Sequence, residues 1–315
     1  MADPLRVLAV TNLWPEGGSF RGVFVKEQVE ALRRLGHRVD VEVVAQARGK
    51  SDYLLAIPRV RRAAASGDYQ VIHVHYGLAG LAARFAGRTP RVLSLYGSDV
   101  NDPRQWRLTR LGRGGSAARI YVSRRLADSA GDPAGDVIPN GVDLSVFTPQ
   151  DRAAARAALG IGPDQPVVLF GALPSNAVKR YDVFRAVVDR LGARELVLSA
   201  PGQPIADLVA KFAAADLLLF TSRQGSEGSP TVVKEAAVMG LPVVSVDVGD
   251  VAEILDGVSP SAVVPFGPDL VDRLATEAAQ VLAAGTRSNG RERLGWLDSP
   301  AIAQRIVDVY HRVAS

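Results

Sequence analysis

Short apolar runs that alternate with amphipathic helical patterns restrict the fold of this chain more than any other feature. Four runs in the first half read as strands: 5–11, 40–45, 69–75 and 91–97. Segment 119–130 reads as a strand that leads into a helix, and 136–143 as a strand end with a turn. In the helical segment after the first run, Val25, Val29 and Leu32 fall on one face with charges opposite. Strands that are joined by helices form a parallel sheet with helices on both faces.

The same alternation begins again after residue 165, with strand patterns at 166–172, 194–200 and 216–222. The sequence therefore predicts an α/β protein with two Rossmann-like, doubly wound parallel-sheet domains that face each other across a cleft. We place the first domain at 1–149 and the second at 150–298. An amphipathic helix is expected at 299–314.

Charge and composition exclude several classes of protein. The chain of 315 residues has no cysteine, which excludes a disulfide framework and a thiolate metal site. Its first residues include an early acid and only a short apolar run, so no signal peptide is expected, and no apolar run is long enough to span a membrane. The net charge of +4 is modest and no nucleic-acid motif accompanies it, which disfavours nucleic-acid binding.

The segment SEGSPTVVKEAAVMGLPVV (226–244) has the pattern of a capped helix that begins at a turn. Ser229 is a good N-cap, Pro230 suits the first helical position, and Gly240 suits the end. Free N–H groups and the positive end of the helix dipole would then face the turn that carries Glu227.

Glu235 lies on the helix face that leads back to this turn. Together with Glu227 it could accept hydrogen bonds from the vicinal hydroxyls of a ribose or hexose. The alternative is that Glu235 pairs with a nearby Lys or Arg and that Glu227 is a solvated loop acid.

This segment resembles the E-x7-E signature of the family 4 glycosyltransferases, which are retaining enzymes with the GT-B fold. VIPNGVDLSVFTP (137–149) is similar to the passage between the domains of that family, and VKRYDVF (178–184) to its basic turn. Within the family the chain looks most like bacterial enzymes of cell-surface polysaccharides, such as those of teichuronic acid synthesis. The resemblance implies an acceptor-side first domain, a second domain that binds the nucleotide sugar, and a last helix (299–315) that crosses back to the first domain.

The resemblance also implies roles for individual residues. Glu235 would bind the ribose, Glu227 the transferred sugar, and Lys179 the diphosphate. The other implied donor-site residues are Gly17, Gly18, Gly228, Ser229, Pro230 and Thr231. Arg21, Ser98 and Asp99 are assigned to the acceptor or sugar side.

The chain departs from the family pattern at two positions. Ala172 stands where the family often has a phosphate-binding Arg, and Arg180 could take that role. Tyr96 stands where the family often has a His that contacts the sugar, so the donor sugar is left open.

Two histidines and two acids are further candidates. His73 and His75 alternate along a strand and therefore point to the same face; we expect His75 to lie nearer the cleft, where it is a catalytic candidate, and an ordinary buried histidine is the alternative. Asp99 and Asp102 are read as part of a turn, so no metal site and no required cofactor are expected beyond the nucleotide-sugar substrate.

The segment RQWRLTRLGRGG (104–115) carries arginines at three-residue spacing with Trp106, Leu108 and Leu111 between them. Such a stripe could lie on an anionic membrane and bring the enzyme to lipid-linked acceptors. A solvated surface helix is the alternative. The expected location is the cytoplasm, with peripheral contact to the inner face of the membrane.

The resemblance therefore predicts transfer of a sugar from a UDP- or GDP-linked donor to a hydroxyl acceptor in polysaccharide or glycolipid synthesis. Two other functions stay open: a catalytically silent protein that binds sugar nucleotides, which the missing Arg at Ala172 favours, and an epimerase of the same fold.

Overall fold

The contacts of the chain divide it into two units. Unit 1 comprises Met1–Gly141 and Ser299–Ser315, and unit 2 comprises Val142–Asp298. The computed structural model describes residues 3–15, 22–44, 49, 51–198 and 204–315. The predicted domain boundary at 149 and 150 therefore falls inside unit 2, after the division seen in the structure.

Unit 1 contains a six-stranded parallel sheet with the strand order β2-β1-β3-β4-β5-β6. Its strands are β1 (Arg6–Thr11), β2 (Arg38–Val43), β3 (Val71–His75), β4 (Arg91–Leu95), β5 (Ala118–Tyr121) and β6 (Asp136–Val137). Every residue of β3 and β4 is buried, as expected for central strands that helices cover on both faces.

The helices of unit 1 include α1, whose predicted apolar face is buried through Val25, Val29 and Leu32. The helices before the second unit are α1 (Val23–Arg34), α2 (Asp52–Leu55), α3 (Ile57–Ser66), α4 (Ala79–Ala83), α5 (Ser98–Asn101), α6 (Pro103–Gly112) and α7 (Arg124–Ser129). Residues of α2, α3, α4 and α7 share one core with side chains of β1, β3 and β4. These helices therefore form a layer on one face of the sheet.

Unit 2 contains a five-stranded parallel sheet with the order β11-β10-β9-β7-β8. Its strands are β7 (Val167–Phe170), β8 (Arg194–Val197), β9 (Leu217–Phe220), β10 (Val243–Val246) and β11 (Ala262–Val264). Its helices are α8 (Arg152–Ala158), α9 (Tyr181–Leu191), α10 (Ile205–Ala214), α11 (Thr231–Val238), α12 (Val251–Ile254), α13 (Leu270–Ala284) and α14 (Gly290–Arg293).

The last helix, α15 (Ser299–Ala314), belongs to unit 1, where it packs against α1 and β3. Its Tyr310 is fully buried, and the hydroxyl lies 2.5 Å from Nδ1 of His73 on β3. A hydrogen bond inside an apolar core stabilises only the arrangement that satisfies both partners. It therefore fixes the position of α15 along the sheet.

A buried arginine ties α8 into unit 2. Arg156 is only 1% exposed. Its guanidinium donates to Asp216 Oδ2 at 2.6 Å and to four backbone carbonyls, those of Gly162, Pro163, Gln165 and Ala214. The exposed Arg152 donates to the other oxygen, Oδ1, of the same carboxylate at 2.7 Å.

We predict that Arg156→Leu lowers the free energy of unfolding of unit 2 by about 3 kcal/mol or more, because leucine replaces none of the hydrogen bonds that the buried guanidinium donates to four carbonyls and to Asp216 Oδ2. Arg152→Ala is the matched control and should cost less than about 1 kcal/mol, since its pair is exposed. Urea unfolding followed by circular dichroism compares the two variants. An equal loss of unfolding free energy in the two variants would show that the buried Arg156 contributes no more to stability than the exposed Arg152.

Candidate active site

The sheet order of unit 2 places a switch point between β7 and β9. β8 lies on one side of β7, and the chain then crosses over to place β9 on the other side. At such a switch point the loops that follow the two strands diverge, and ligands of α/β proteins bind between them at the carboxyl ends of the strands. In unit 2 these loops are 171–180 and 221–230.

Lys179 and Glu227 meet between these two loops. Lys179 Nζ lies 2.7 Å from Glu227 Oε1, and the side chains keep 20% and 14% of their surface exposed. Ser222 donates to the same oxygen at 2.7 Å, and the ammonium lies 5.0 Å from the centre of the Phe220 ring. The structure thus brings two predicted residues together. It adds Ser222, which was not predicted although it is the second residue after β9 and therefore lies at the carboxyl end of a strand.

Backbone and hydroxyl contacts hold the two loops together. Thr221 Oγ1 donates to the carbonyl of Lys179 at 2.8 Å, and the N–H of Arg223 donates to the carbonyl of Val178 at 2.8 Å. The position of the Lys179 ammonium is therefore set by the neighbouring loop as well as by its own. Such a preorganised cation can stabilise an anion that develops during a reaction.

Ser229 does not cap α11, in contrast to the prediction. Its hydroxyl donates to Asp250 Oδ2 at 2.7 Å and accepts a hydrogen bond from Lys234. Lys234 is fully buried, and its ammonium lies 3.0 Å from Asp250 Oδ2. Burial lowers the pKa of Lys234, while the charge of Asp250 acts in the opposite direction. The turn before α11 is therefore anchored to a buried ion pair.

Neither Lys234 nor Asp250 was singled out from the sequence. The signal was present, because a lysine inside an apolar helix needs a partner. Gly249, next to Asp250, has a φ of +57°, and a Cβ there would lie 2.7 Å from the carbonyl oxygen of Gly228. Only glycine permits this approach at a positive φ. Gly249, through its contact with Gly228, and Asp250, through its bond to Ser229, therefore both fix the turn before α11.

The helix itself agrees with the predicted signals apart from its first cap. α11 begins at Thr231, Pro230 precedes it in an extended conformation, and Gly240 follows its end with a φ of +72°. Leu241 donates its N–H to the carbonyl of Ala236 at 2.9 Å, which completes a Schellman motif. Gly228, Ser229 and Pro230 are buried, and Thr231 is partly exposed.

Glu235 is half-buried on α11, one turn after Thr231. Burial lowers the pKa of the neighbouring Lys234, and the charge of Glu235, like that of Asp250, opposes this effect. A role for Glu235 with a ribose stays a prediction.

Arg180 and Ala172 lie in the loop after β7. Arg180 has a left-handed backbone, with φ +54°, and its guanidinium makes hydrogen bonds of 2.8–3.1 Å to Asp182. These bonds raise the pKa of Arg180. Its guanidinium therefore already has a carboxylate partner, and its expected role in place of an Arg at 172 would need that exposed pair to open.

His73 and His75 lie on β3 of unit 1, with their ring centres 4.0 Å apart. His73 contacts Tyr310 and also Ser94 Oγ, at 2.7 Å. His75 Nδ1 lies 2.7 Å from the hydroxyl of Tyr96, and its Nε2 has no hydrogen-bond partner among the residues that the structure describes. Burial lowers the pKa of His75 to about 3 and that of His73 well below its usual value, so both imidazoles are neutral.

Asp99 points inward, in contrast to the expected position on the acceptor or sugar side. It is fully buried and accepts hydrogen bonds of 2.9–3.2 Å from the N–H groups of Gly77, Tyr96 and Gly97. Burial raises its pKa to about 6 despite these donors. Asp99 therefore joins the loops that follow β3 and β4.

Two other predicted residues of this region are more accessible. Ser98 is exposed, and its Oγ lies 2.8 Å from the hydroxyl of Tyr76. Tyr96 is half-buried and packs against Phe24, with a centroid distance of 4.9 Å. Asp102 caps α6 by accepting from the N–H groups of Arg104 and Gln105.

Gly17, Gly18 and Arg21 lie outside the described residues.

Within the described parts of the chain, no group of three or more His, Asp and Glu side chains is arranged to hold a metal ion. The described helices also include none with both the length and the apolar character that a bilayer crossing needs.

Solved structures with the same architecture cover almost the whole chain. Sucrose-phosphate synthase (tll1590) from Thermosynechococcus elongatus superposes with a TM-score of 0.83, 18% identity and 98% coverage of both chains. Anabaena Alr3699/HepE in complex with UDP-glucose gives a TM-score of 0.71 and 19% identity, and the match covers 98% of this chain and all of that one.

Curated relatives share more sequence over a smaller part. A D-inositol 3-phosphate glycosyltransferase from Segniliparus rotundus is 32% identical over 51% of this chain and 42% of its own length. One from Mycolicibacterium gilvum is 30% identical over 71% of this chain and 61% of its own length. The matched part is less than two thirds of each of these relatives.

Two family models match, one in each half. The model described as Glycosyltransferase Family 4 matches residues 22–146, and the model described as Glycosyl transferases group 1 matches residues 167–284. These matches and the two parallel sheets support the resemblance that the E-x7-E segment indicated: the first half of the chain is similar to the family 4 glycosyltransferases, the second half to the group 1 glycosyl transferases, and the architecture is that of the GT-B fold.

Proposed function

We propose that the protein is a retaining glycosyltransferase that moves a sugar from a UDP- or GDP-linked donor to a hydroxyl acceptor in polysaccharide or glycolipid synthesis. The observation that carries this proposal is the Lys179–Glu227 pair at the switch point of unit 2, beside the N-terminus of α11. Retention and the type of donor rest on the family.

The charges of this site suit a departing nucleoside diphosphate. Cleavage of the bond between sugar and diphosphate builds negative charge on the leaving group. Lys179 and the free N–H groups at the start of α11 would stabilise that charge. Glu227 would then hold the transferred sugar, and Glu235 the ribose. No step of this mechanism needs a metal ion.

His75 is proposed to act as a neutral imidazole. Its Nδ1 lies 2.7 Å from the hydroxyl of Tyr96, and its Nε2 is buried without a partner among the described residues, so it would bind a sugar hydroxyl once the side chains that cover it move. Tyr96 thus occupies the family's histidine position as a partner of His75.

The direct test is turnover of UDP- and GDP-sugars with candidate acceptors, read as release of nucleoside diphosphate and as the anomeric configuration of the product. Inositol 3-phosphate belongs among the acceptors because of the names of the curated relatives. Tight binding of a donor without turnover on any acceptor would favour the catalytically silent alternative, and an inverted product would exclude retention.

We predict that Lys179→Ala weakens binding of the preferred nucleoside diphosphate about 10- to 100-fold, the effect of losing a charge-assisted hydrogen bond. Binding of the matching nucleoside should change little, because it carries no phosphate. Calorimetric titration with UDP, GDP, ADP and dTDP, and then with the nucleoside, measures both. Arg185→Ala removes an exposed cation of the same unit and should leave affinity unchanged. An equal loss for nucleoside and diphosphate would contradict a phosphate role.

Glu235 should determine the preference for ribose. We expect the wild type to bind the ribonucleoside diphosphate about tenfold more tightly than its 2′-deoxy analogue, and Glu235→Ala to lose this preference. Glu253→Ala removes an exposed glutamate from α12 and serves as the control. A preference that survives in Glu235→Ala would reject the ribose role, and a folded wild type that binds none of the nucleotides would overturn the donor site.

Acid should destabilise unit 1 through His75. The unfolded chain takes up this proton near pH 6.5 and the folded chain only near pH 3, so stability is lost as the pH falls through this window. We predict that the free energy of unfolding of His75→Gln falls less steeply than that of the wild type, by about 1.4 kcal/mol per pH unit. Urea unfolding at about pH 7 and about pH 5 compares the slopes of unfolding free energy against pH.

The raised pKa of Asp99 has the opposite effect on stability as the pH falls. This effect drops out of the comparison, because the wild type and the variant both contain Asp99. Parallel slopes would show that His75 titrates normally.

A further inference from the structure

Three helices of unit 1 present arginines outward. On α3, α4 and α6 and the residues that directly follow α4, seven arginines are exposed: Arg61, Arg62, Arg84, Arg88, Arg104, Arg107 and Arg110. The sequences of α3, α4 and α6 contain no Asp or Glu. Of the acids that flank these helices, Asp52 is buried beside Arg59, Asp102 caps α6, and Asp68, two residues after α3, is exposed. This side of the helical layer is therefore strongly positive.

Large apolar side chains emerge among these arginines. Five are between 46% and 69% exposed: Leu54, Leu55, Phe85, Leu108 and Leu111. Neighbouring large apolar side chains are seldom this exposed on the surface of a water-soluble protein, and such a patch marks an interaction site.

The helices that carry these residues are direct neighbours. α4 packs against α2, α3 and α6, and a Cβ at Gly80 would lie 3.0 Å from the carbonyl oxygen of Gly112 at the end of α6. Arg84 donates to the carbonyl of Leu111 at 2.7 Å. Arg84 and Phe85, which follow α4, therefore belong to one continuous area with the arginines and leucines of α6. We call this area, together with the exposed side chains of the neighbouring α2 and α3, the arginine–leucine surface.

We propose that the arginine–leucine surface docks on an anionic lipid bilayer. Leucine and phenylalanine side chains enter the boundary between headgroups and acyl chains, while guanidinium groups contact phosphates. Seven exposed arginines, with no acid inside α3, α4 or α6, suit a negative surface of low specificity. The segment 104–115 is thus only one edge of a larger area, because three of the five exposed apolar side chains lie elsewhere: two on α2 and one, Phe85, shortly after α4.

The test is co-sedimentation of the full chain with vesicles of phosphatidylcholine alone and with about one third phosphatidylglycerol. We expect binding only to the anionic vesicles, and weaker binding in high salt. The variant Arg104→Gln/Arg107→Gln/Arg110→Gln should bind at least about tenfold more weakly. Leu108→Ser/Leu111→Ser should also bind more weakly, because it loses insertion without a change in charge.

The matched control is Arg34→Gln/Arg38→Gln/Arg190→Gln, which removes three exposed arginines that lie on α1, β2 and α9. It should keep its affinity within about twofold. An equal loss in control and surface variants would overturn the proposal, as would a wild type that stays in solution with anionic vesicles. If the wild type forms dimers at high protein concentration and Leu108→Ser/Leu111→Ser is monomeric, the surface binds a second copy of the chain and the proposal is wrong. Circular dichroism confirms that each variant is folded.

Discussion

The parallel pairing of β7 with β9 is the constraint on which the candidate donor site depends. Val168 pairs with Leu217 and Leu169 with Leu218, so two strands that are distant in sequence end side by side. Lys179 and Glu227, 48 residues apart in the chain, can meet only because of this register. A slip by one residue would turn the buried side chains of either strand to the opposite face, so core packing and site geometry are specified together.

Buried charges position the loops at the carboxyl ends of both sheets. Asp99 collects three backbone N–H groups in unit 1, and the Lys234–Asp250 pair holds the hydroxyl of Ser229 in unit 2. Buried ion pairs contribute little net stability, but losing one partner is costly. Their effect is to favour one conformation of a loop over others, which is the property that a preorganised site needs.

The sequence predicted most strands, because parallel strands leave continuous apolar runs, and it predicted the end of α11 at Gly240, because that signal is local. It also singled out Lys179 and Glu227, through a family motif, and the structure brings these two side chains together. It misplaced Ser229 and Asp99, since a hydroxyl that can cap a helix can equally bind a distant carboxylate, and only the fold decides which partner lies near. It did not predict α13 and β11. It also missed Ser222, Lys234 and Asp250, whose partners, Glu227 for Ser222 and each other for the remaining two, are known only from the structure.

The Lys179–Glu227 pair also limits which ligand can bind. The pair is neutral as a unit and partly withdrawn from water, so an uncharged sugar alone gains little by separating it. A diphosphate carries enough negative charge to replace the carboxylate as the counter-ion of Lys179. The carboxylate released in this way is then free to accept hydrogen bonds from the sugar attached to that diphosphate. We infer that phosphate recognition and sugar recognition are coupled through this one ion pair, so that nucleotide and sugar bind better together than apart.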